Sequence, residues 1–200
     1  MRQRLSPTER RAQIVEAAHA LIVQEGLAAT SLRDIAAAAG VSMGTVTYHF
    51  AGVDEILGAV VVTEADRFYE GVVAAADNEP EPRVALDLLV AAIFDESPRV
   101  EAHWRIWSEY WTVATRRPEL AEPYAARIRH WEQCCTRVIA RGVESGTFRT
   151  VEPAEAALKL AAYSDGLGTQ RAQGVPELDA ATARSWMTEF VRLLLEPIGR

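Results

Sequence analysis

The side chains best suited to recognition chemistry in this sequence lie close together, between positions 42 and 49. They comprise three hydroxyl groups and two aromatic rings with polar atoms, next to a glycine that allows a close backbone approach. Such groups hydrogen-bond to base edges in the major groove of DNA, and the methyl group of threonine can meet that of thymine. The predicted base-reading residues are Ser42, Met43, Gly44, Thr45, Thr47, Tyr48 and His49. Two structural alternatives stay open: Tyr48 packs on the helix that follows, and His49 acts as a cap inside the small domain.

The charge of this segment conflicts with a DNA-reading role. No lysine or arginine occurs from Asp34 to Asp66, and the whole chain has a net charge of −7. Because affinity for DNA depends strongly on cations placed against phosphates, other groups must hold the backbone. The neutral candidates are the hydroxyls of Thr30, Ser31, Ser42 and Thr47, with the helix N-termini that open at Ser31 and Ser42. The positive candidates are Arg33 and, near the N-terminus, Arg2, Arg4, Arg10 and Arg11, unless these last four form a solvated chain end.

The spacing of apolar residues predicts the helices that position these groups. A first helix carries its apolar residues on one face, at Ile14, Ala17, Ala18, Leu21 and Ile22. Ser31 and Asp34 are spaced as a capping box that opens a second, short helix, which Gly40 ends. Ser42 can cap a third helix that runs to about Phe50. Two short helices joined in this way form a helix-turn-helix pattern.

The rest of the chain also has helical periodicity, and no convincing hairpin signal occurs. Further helices are predicted over residues 53 to 76 and 84 to 95, from near Pro98, from Pro118, over residues 154 to 171 after Pro153, and after a cap at Asp179. The predicted fold is all-α with about nine helices. A helix-turn-helix DNA-binding domain occupies residues 1–52, and a larger helical effector-binding and dimerisation domain occupies residues 53–200.

Residues 10 to 57 resemble the N-terminal domain of TetR/AcrR-type transcriptional regulators. The matching run is RRAQIVEAAHALIVQEGLAATSLRDIAAAAGVSMGTVTYHFAGVDEIL. The resemblance implies a homodimer that binds a near-palindromic operator, a C-terminal domain that binds a small effector, and a basic N-terminal arm that can reach an adjacent groove. Two positions depart from the family: Thr47 stands where many members have tyrosine, and Val53 where many have lysine. These departures leave open a helical binding or adaptor protein that has lost DNA binding.

A series of positions carries a second resemblance: Trp104, Trp107, Tyr110, Trp111, Pro118, Glu119, Leu120, Trp131, Gly142, Gly146, Thr147, Phe148, Asp165, Gly166 and Leu167. With this order, residues 84 to 195 resemble the branch of the family typified by the choline–betaine pathway regulator. The implied function is that of a ligand-responsive regulator, by family habit a repressor. The effector is expected to be apolar or aromatic, with a cationic ligand as an alternative, since aromatic faces attract quaternary amines. The candidate ligand-binding residues are His103, Trp104, Trp107, Tyr110, Trp111, Trp131, Tyr163 and Asp165. For any single aromatic residue the alternative is a place in the core.

The last two predicted helices carry apolar faces that could form an intersubunit four-helix bundle. The candidate dimer residues are Leu160, Ser164, Leu167, Trp186, Phe190 and Leu194. The alternative is that these faces form a core within one chain.

Several protein classes are not supported by the residue patterns. No nucleophile elbow, phosphate loop or zinc-protease motif occurs, so no enzyme, metal site or cofactor is expected. The adjacent Cys134 and Cys135 fit no common metal spacing and are interpreted as reduced thiols, with a redox pair as the alternative. No apolar run approaches the roughly 18 to 20 residues of a membrane span, and no signal peptide precedes the first helix. The protein is therefore expected in the cytoplasm, away from membranes.

Overall fold

The computed structural model describes residues 5–116 and 129–196, and these residues form nine α-helices and no strand. The helices are α1 (Pro7–Glu25), α2 (Leu32–Ala38), α3 (Met43–His49), α4 (Val53–Asn78), α5 (Pro82–Ile93), α6 (Pro98–Arg116), α7 (His130–Glu144), α8 (Pro153–Ala172) and α9 (Ala180–Leu195). The all-α prediction is confirmed. The predicted helix start at Pro118 lies outside the described residues.

The chain divides into two compact units. Of the described residues, 5–64 and 105–116 belong to the first unit, and 65–104 and 129–196 belong to the second. The long helices α4 and α6 therefore each contribute to both units. The proposed division into domains 1–52 and 53–200 stays a prediction about function.

Local sequence signals set the starts of α1, α2 and α3. Ser6 and Glu9 form a capping box at α1, and Ser31 and Asp34 form the predicted one at α2. In each box the serine oxygen accepts a backbone N–H one turn on, and the carboxylate accepts the N–H of the serine. Ser42 caps α3 in the first of these two ways.

The turn between α2 and α3 depends on Gly40. Its φ of 63° lies in the left-handed region, which glycine adopts without steric cost. The N–H of Gly40 donates to the carbonyl of Ala37 at 3.1 Å, and that of Val41 donates to Ala36 at 2.9 Å. This is the Schellman pattern of hydrogen bonds, which ends a helix and redirects the chain.

The first unit buries one apolar face from each of the helices α1, α2 and α3. The buried residues include Ile14, Val15, Ala18 and Ile22 of α1, Ile35 and Ala36 of α2, and Val46 and Phe50 at α3. Val46 is 0% and Phe50 2% exposed, so α3 is anchored at its middle and at its end. The opposite face of α3 is left outside.

In the second unit α7 packs against α5 and α8, and α8 packs against α9. Arg137 of α7 pairs with Asp77 at 2.6 Å. Arg141 donates to the carbonyls of Ala76 and Asp77, each at 3.0 Å, at the C-terminal end of α4. Cations are favourable at this end of a helix because its carbonyls carry the negative end of the helix dipole.

Within the described ranges no single helix is long and apolar enough to cross a membrane. The helices α3 and α4 meet at a bend of 68°, and only the two together would be long and apolar enough for a span, judged by length and composition alone.

Candidate nucleic-acid interface and effector-binding residues

The outward face of α3 presents the predicted base-reading side chains. Tyr48 is 80% exposed and Met43 is 45% exposed. Ser42 and Thr45 share a hydroxyl–hydroxyl hydrogen bond of 2.9 Å, and the Thr47 hydroxyl donates to the Met43 carbonyl at 3.2 Å. Because these contacts are short-range and exposed, the hydroxyls can exchange them for contacts with a ligand.

The two aromatic rings at the end of α3 differ in exposure. The high exposure of Tyr48 removes the alternative that it packs on α4. His49 is half-buried, and its ring meets that of Tyr48 edge to face, with centroids 5.0 Å apart. The Tyr48 ring is therefore open to solvent, whereas the His49 ring is partly covered and packs against Tyr48.

Two of the predicted phosphate donors make hydrogen bonds within the first unit. Thr30 is 7% exposed, and its hydroxyl donates to the Gly26 carbonyl at 2.8 Å. The Ser31 hydroxyl donates to the Asp34 carboxylate and holds the pKa of that carboxyl below its usual value. The spacing of Ser31 and Asp34 indicated the capping box, but no local signal showed that Thr30 is buried.

The predicted phosphate-binding arginines within the described residues lie on two different helices. Arg33 is exposed on α2. Arg10 and Arg11 lie inside α1, one turn after its start, and so do not belong to a flexible arm before the first helix. Arg2 and Arg4 lie outside the described residues.

Three of the predicted ligand-binding residues belong to the core of the second unit. His103 is 0% exposed, its Nε2 lies 2.9 Å from the Tyr69 hydroxyl, and its ring stacks on Phe68 at 3.8 Å. The indole N–H of Trp104 donates to Ile93 at 2.8 Å, and that of Trp131 donates to the carbonyl of Leu89 at 3.3 Å. Since these polar atoms have partners and the side chains are buried, the core alternative applies to all three.

A different group of aromatic residues gathers on the part of α6 that belongs to the first unit. The centroids of Trp107 and Trp111 are 5.6 Å apart in a stacked pair. Tyr110 lies 5.8 Å from Trp107 and 5.4 Å from Trp111. Trp111 is 38% exposed, whereas the other two are buried. We call Trp107, Tyr110 and Trp111 the α6 aromatic cluster.

The last two ligand candidates lie on α8. Tyr163 packs on Phe190 of α9, with ring centroids 4.5 Å apart. Burial raises the pKa of Asp165 to about 6, and the negative charge of Glu132 adds to the effect. These two residues belong to the second unit, as do His103, Trp104 and Trp131, whereas the α6 aromatic cluster belongs to the first.

The predicted dimer residues divide into a buried and an exposed set. Leu160, Ser164 and Leu167 are buried within the single chain, so the intrachain alternative applies to them. Trp186 is 47% exposed on α9, and Phe190 and Leu194 are half-buried there. Leu193, 59% exposed, extends this apolar surface.

Two polar contacts in the first unit could not be read from local sequence signals. Glu109 of α6 accepts the N–H of Leu27 at 3.1 Å, and Arg105 donates to the carbonyl of Val23 at 3.1 Å. Both contacts hold the C-terminal end of α1. Each contact joins residues 82 positions apart in the chain, so no short sequence motif could indicate it.

The two cysteines are buried and free. Burial raises the pKa of Cys134 to about 11, and it raises that of Cys135 as well. Both therefore stay protonated thiols near neutral pH, which is unfavourable for redox chemistry because the thiolate is the reactive form.

The sequence of this fold matches known families over most of its length. Residues 14–60 match the profile of bacterial regulatory proteins of the tetR family. Residues 82–196, more than half of the chain, match the profile of the BetI-type transcriptional repressor C-terminal domain. The chain belongs to the tetR family of bacterial regulatory proteins. It is a transcriptional regulator whose helix-turn-helix domain lies in the matched residues 14–60. Its relatives are regulators and not enzymes.

Individual relatives align over nearly the whole chain. The HTH-type transcriptional regulator BetI of Burkholderia thailandensis is 29% identical over 194 residues, which cover 94% of each chain. BetI 2 of Chromohalobacter salexigens is 28% identical and covers 95% of this chain and 90% of its own. A transcriptional regulator from Saccharomonospora viridis, crystallised in complex with choline, superposes with a TM-score of 0.83 at 26% identity over 96% of this chain and 100% of its own.

Proposed function

We propose that this tetR-family protein is a cytoplasmic repressor that binds a near-palindromic operator as a homodimer and is released from it by a small-molecule effector. The observation that carries this proposal is the outward face of α3. Val46 and Phe50 hold the helix to the core, while Tyr48 extends into solvent with 80% of its surface exposed. A recognition helix needs this combination of a fixed backbone and an open reading face.

Base reading is assigned to Thr45, which is half-buried, and to Thr47 and Tyr48, which are exposed. Thr45 and Thr47 can donate to base edges or meet thymine methyl groups, and Tyr48 can reach a base or a phosphate. The dimer would place two copies of α3 one helical turn of DNA apart, or a multiple of it. If the distance between the two copies of α3 changes, they no longer fit both half-sites at once, and the dimer binds the operator more weakly.

The DNA-reading assignment is tested by fluorescence anisotropy with duplexes from the DNA that flanks the gene of this protein. Thr45→Ala and Tyr48→Ala should change the order of preference among operator variants, by roughly 1 to 3 kcal/mol at the base pair they read. Thr188→Ala, at an exposed position on α9, is the matched control and should leave that order unchanged. An unchanged preference in both α3 variants would contradict the assignment.

The effector is proposed to bind at the α6 aromatic cluster. Three large rings lie within 6 Å of one another, and Trp111 remains partly open. The open part of the cluster is Trp111, because Trp107 and Tyr110 are buried. An exposed indole face can pack against apolar or aromatic compounds, and it also attracts a quaternary ammonium group. The choline complex of the Saccharomonospora viridis regulator favours the cationic class.

Intrinsic tryptophan fluorescence separates the two effector classes. Choline is titrated beside 3,3-dimethyl-1-butanol, a compound of the same shape without the charge. A cation site should respond to choline at much lower concentration, and Trp111→Ala should remove the response. An equal response to both compounds would favour an apolar site, and no response to choline would exclude the cationic class.

Effector release requires a difference in affinity between two states of the protein. A ligand shifts the equilibrium only by as much as it prefers the state that does not bind DNA. The helix α4 runs from residues just after α3 into the second unit, which makes it the proposed carrier of the change.

A helical ligand-binding protein without DNA binding is the second candidate. It is favoured by the absence of lysine and arginine from Asp34 to Asp66. Failure to bind any flanking duplex at low salt, together with a ligand response in fluorescence, would support this candidate over the first.

A further inference from the structure

The recognition helix contains no lysine or arginine, yet an arginine from another helix lies at its end. The guanidinium carbon of Arg11, on α1, is 4.4 Å from the centroid of the Phe50 ring. Phe50 is the C-cap of α3, and its N–H donates to the carbonyl of Val46 at 3.0 Å. A contact that joins residues 39 positions apart thus fixes a positive charge at the C-terminal end of the recognition helix.

We propose that Arg11 is a phosphate-binding residue of the DNA interface, held in place by the ring of Phe50. The proposal rests on DNA binding through α3 and names the cation that the helix itself lacks.

The chemistry of arginine allows both contacts at the same time. The face of a guanidinium group stacks on an aromatic ring, while its N–H donors lie in its own plane and point outwards. The charge attracted to the Phe50 ring can therefore still bind a phosphate through two N–H groups. Arg11 is half-buried, so part of its side chain stays in contact with solvent.

The end of α3 at which Arg11 lies is the end expected nearer to phosphates. A recognition helix contacts base edges in the major groove with its N-terminal residues. Its C-terminal end is then the end further from the bases, where the contacts left to make are with the phosphate backbone. The C-terminal end also carries the negative pole of the helix dipole, which repels phosphate unless a cation is present.

The neighbouring arginine is held in a different way. Arg10 donates to Gln13 at 2.7 Å, and the Gln13 amide donates to the carbonyl of Ala39 at 2.8 Å, at the end of α2. Arg10 is thus directed towards the turn, whereas Arg11 contacts Phe50 at the end of α3. The two positions can be changed independently.

The test is the salt dependence of DNA binding by the full-length dimer, measured by anisotropy with a labelled duplex from the DNA that flanks its gene. Arg11→Met keeps an unbranched side chain over Phe50 but removes the charge. Because each subunit of this variant neutralises one phosphate fewer, the slope of log K against log salt should become shallower by about 1.8. Affinity near 0.1 M salt should fall by roughly tenfold or more. Arg11→Lys should keep the wild-type slope.

Controls separate a binding role from a structural one. Arg184→Met removes the same charge from an exposed position on α9 and should leave the slope unchanged. Thermal unfolding of each variant checks the fold, and Arg11→Gln replaces Arg11→Met if the latter does not fold. A wild-type slope in the neutral variant, or an equal flattening in Arg11→Lys or Arg184→Met, would overturn the proposal. Failure of the wild type to bind DNA would instead contradict the proposed function.

Discussion

At the scale of single residues, Asp165 of the second unit is a carboxyl group whose pKa is raised. Burial removes water from its carboxyl group, and the nearby negative charge of Glu132 opposes ionisation further. Glu132 is itself paired with Arg129 through two hydrogen bonds of 2.9 Å. The positive charge of Arg129 therefore offsets part of the effect of Glu132 on Asp165. With its pKa raised to about 6, Asp165 is ionised at neutral pH at some cost to stability.

Replacing Asp165 by asparagine should make the protein relatively more stable as pH rises. The folded-state pKa of Asp165 lies above its unfolded value, so its favourable contribution is present below about pH 4 and is lost as pH rises through about 6. Asp165→Asn replaces the titrating carboxyl group by an amide, so the variant does not undergo this loss of stability. The free energy of unfolding of the variant, relative to wild type, should increase by about 1 to 3 kcal/mol between pH 4 and pH 7.5.

Urea denaturation at a series of pH values measures this difference. Asp87→Asn, at an exposed position on α5, is the control and should give a difference that does not change with pH. A constant difference for Asp165→Asn would show that its carboxyl group titrates normally.

At the scale of helices, α6 and α8 approach closely at one glycine. A Cβ atom on Gly168 would lie 2.1 Å from the Trp104 ring. The indole cannot easily move away, because it is buried and its N–H donates to Ile93 at 2.8 Å. Gly168 therefore allows α6 and α8 to pack closely, whereas a Cβ on Gly166 would meet nothing within 4 Å.

These two glycines form a matched pair for mutation. Gly168→Ala should destabilise the protein by about 1 to 3 kcal/mol, because the added methyl group overpacks the contact with Trp104. Gly166→Ala should stabilise it by up to about 1 kcal/mol, because alanine favours the helix. Thermal or urea unfolding gives both values. Equal effects of the two changes would show that α6 and α8 are not in close contact in solution.

At the scale of the whole molecule, α9 leaves an apolar surface outside the single chain. Trp186 and Leu193 are each about half exposed, and the Tyr163–Phe190 ring pair lies half-buried beside them. Soluble proteins rarely leave such a surface uncovered, and in a tetR-family regulator a second copy of the chain is the expected partner.

Introducing a charge at this surface should prevent dimer formation. Leu193→Glu should sediment as a monomer at micromolar concentration, because a carboxylate buried between two subunits is unfavourable. Binding to a two-half-site operator should weaken in parallel. Leu88→Glu, at a position of 38% exposure on α5, should remain a dimer. A monomeric wild-type protein, or a dimeric Leu193→Glu, would exclude this interface.

The sequence by itself determined the local structure of this protein. The caps at Ser31 and Ser42, the stop at Gly40 and the cap at Asp179 act through backbone hydrogen bonds within a few residues, so their spacing could be read directly. The run of residues that resembles the family lies in this same region, and the family was predicted correctly for that reason.

Tertiary structure decided which face meets which partner. Helical spacing placed His103, Trp104 and Trp107 on α6, but only packing showed that all three are buried and that Trp107 stacks on the partly exposed Trp111. The same holds for Leu160, whose apolar character indicates burial without saying whether its own chain or a second one covers it. The contact between Arg11 and Phe50 likewise joins two helices through space. Interactions over such separations depend on how helices cross, and periodicity along one helix carries no information about that.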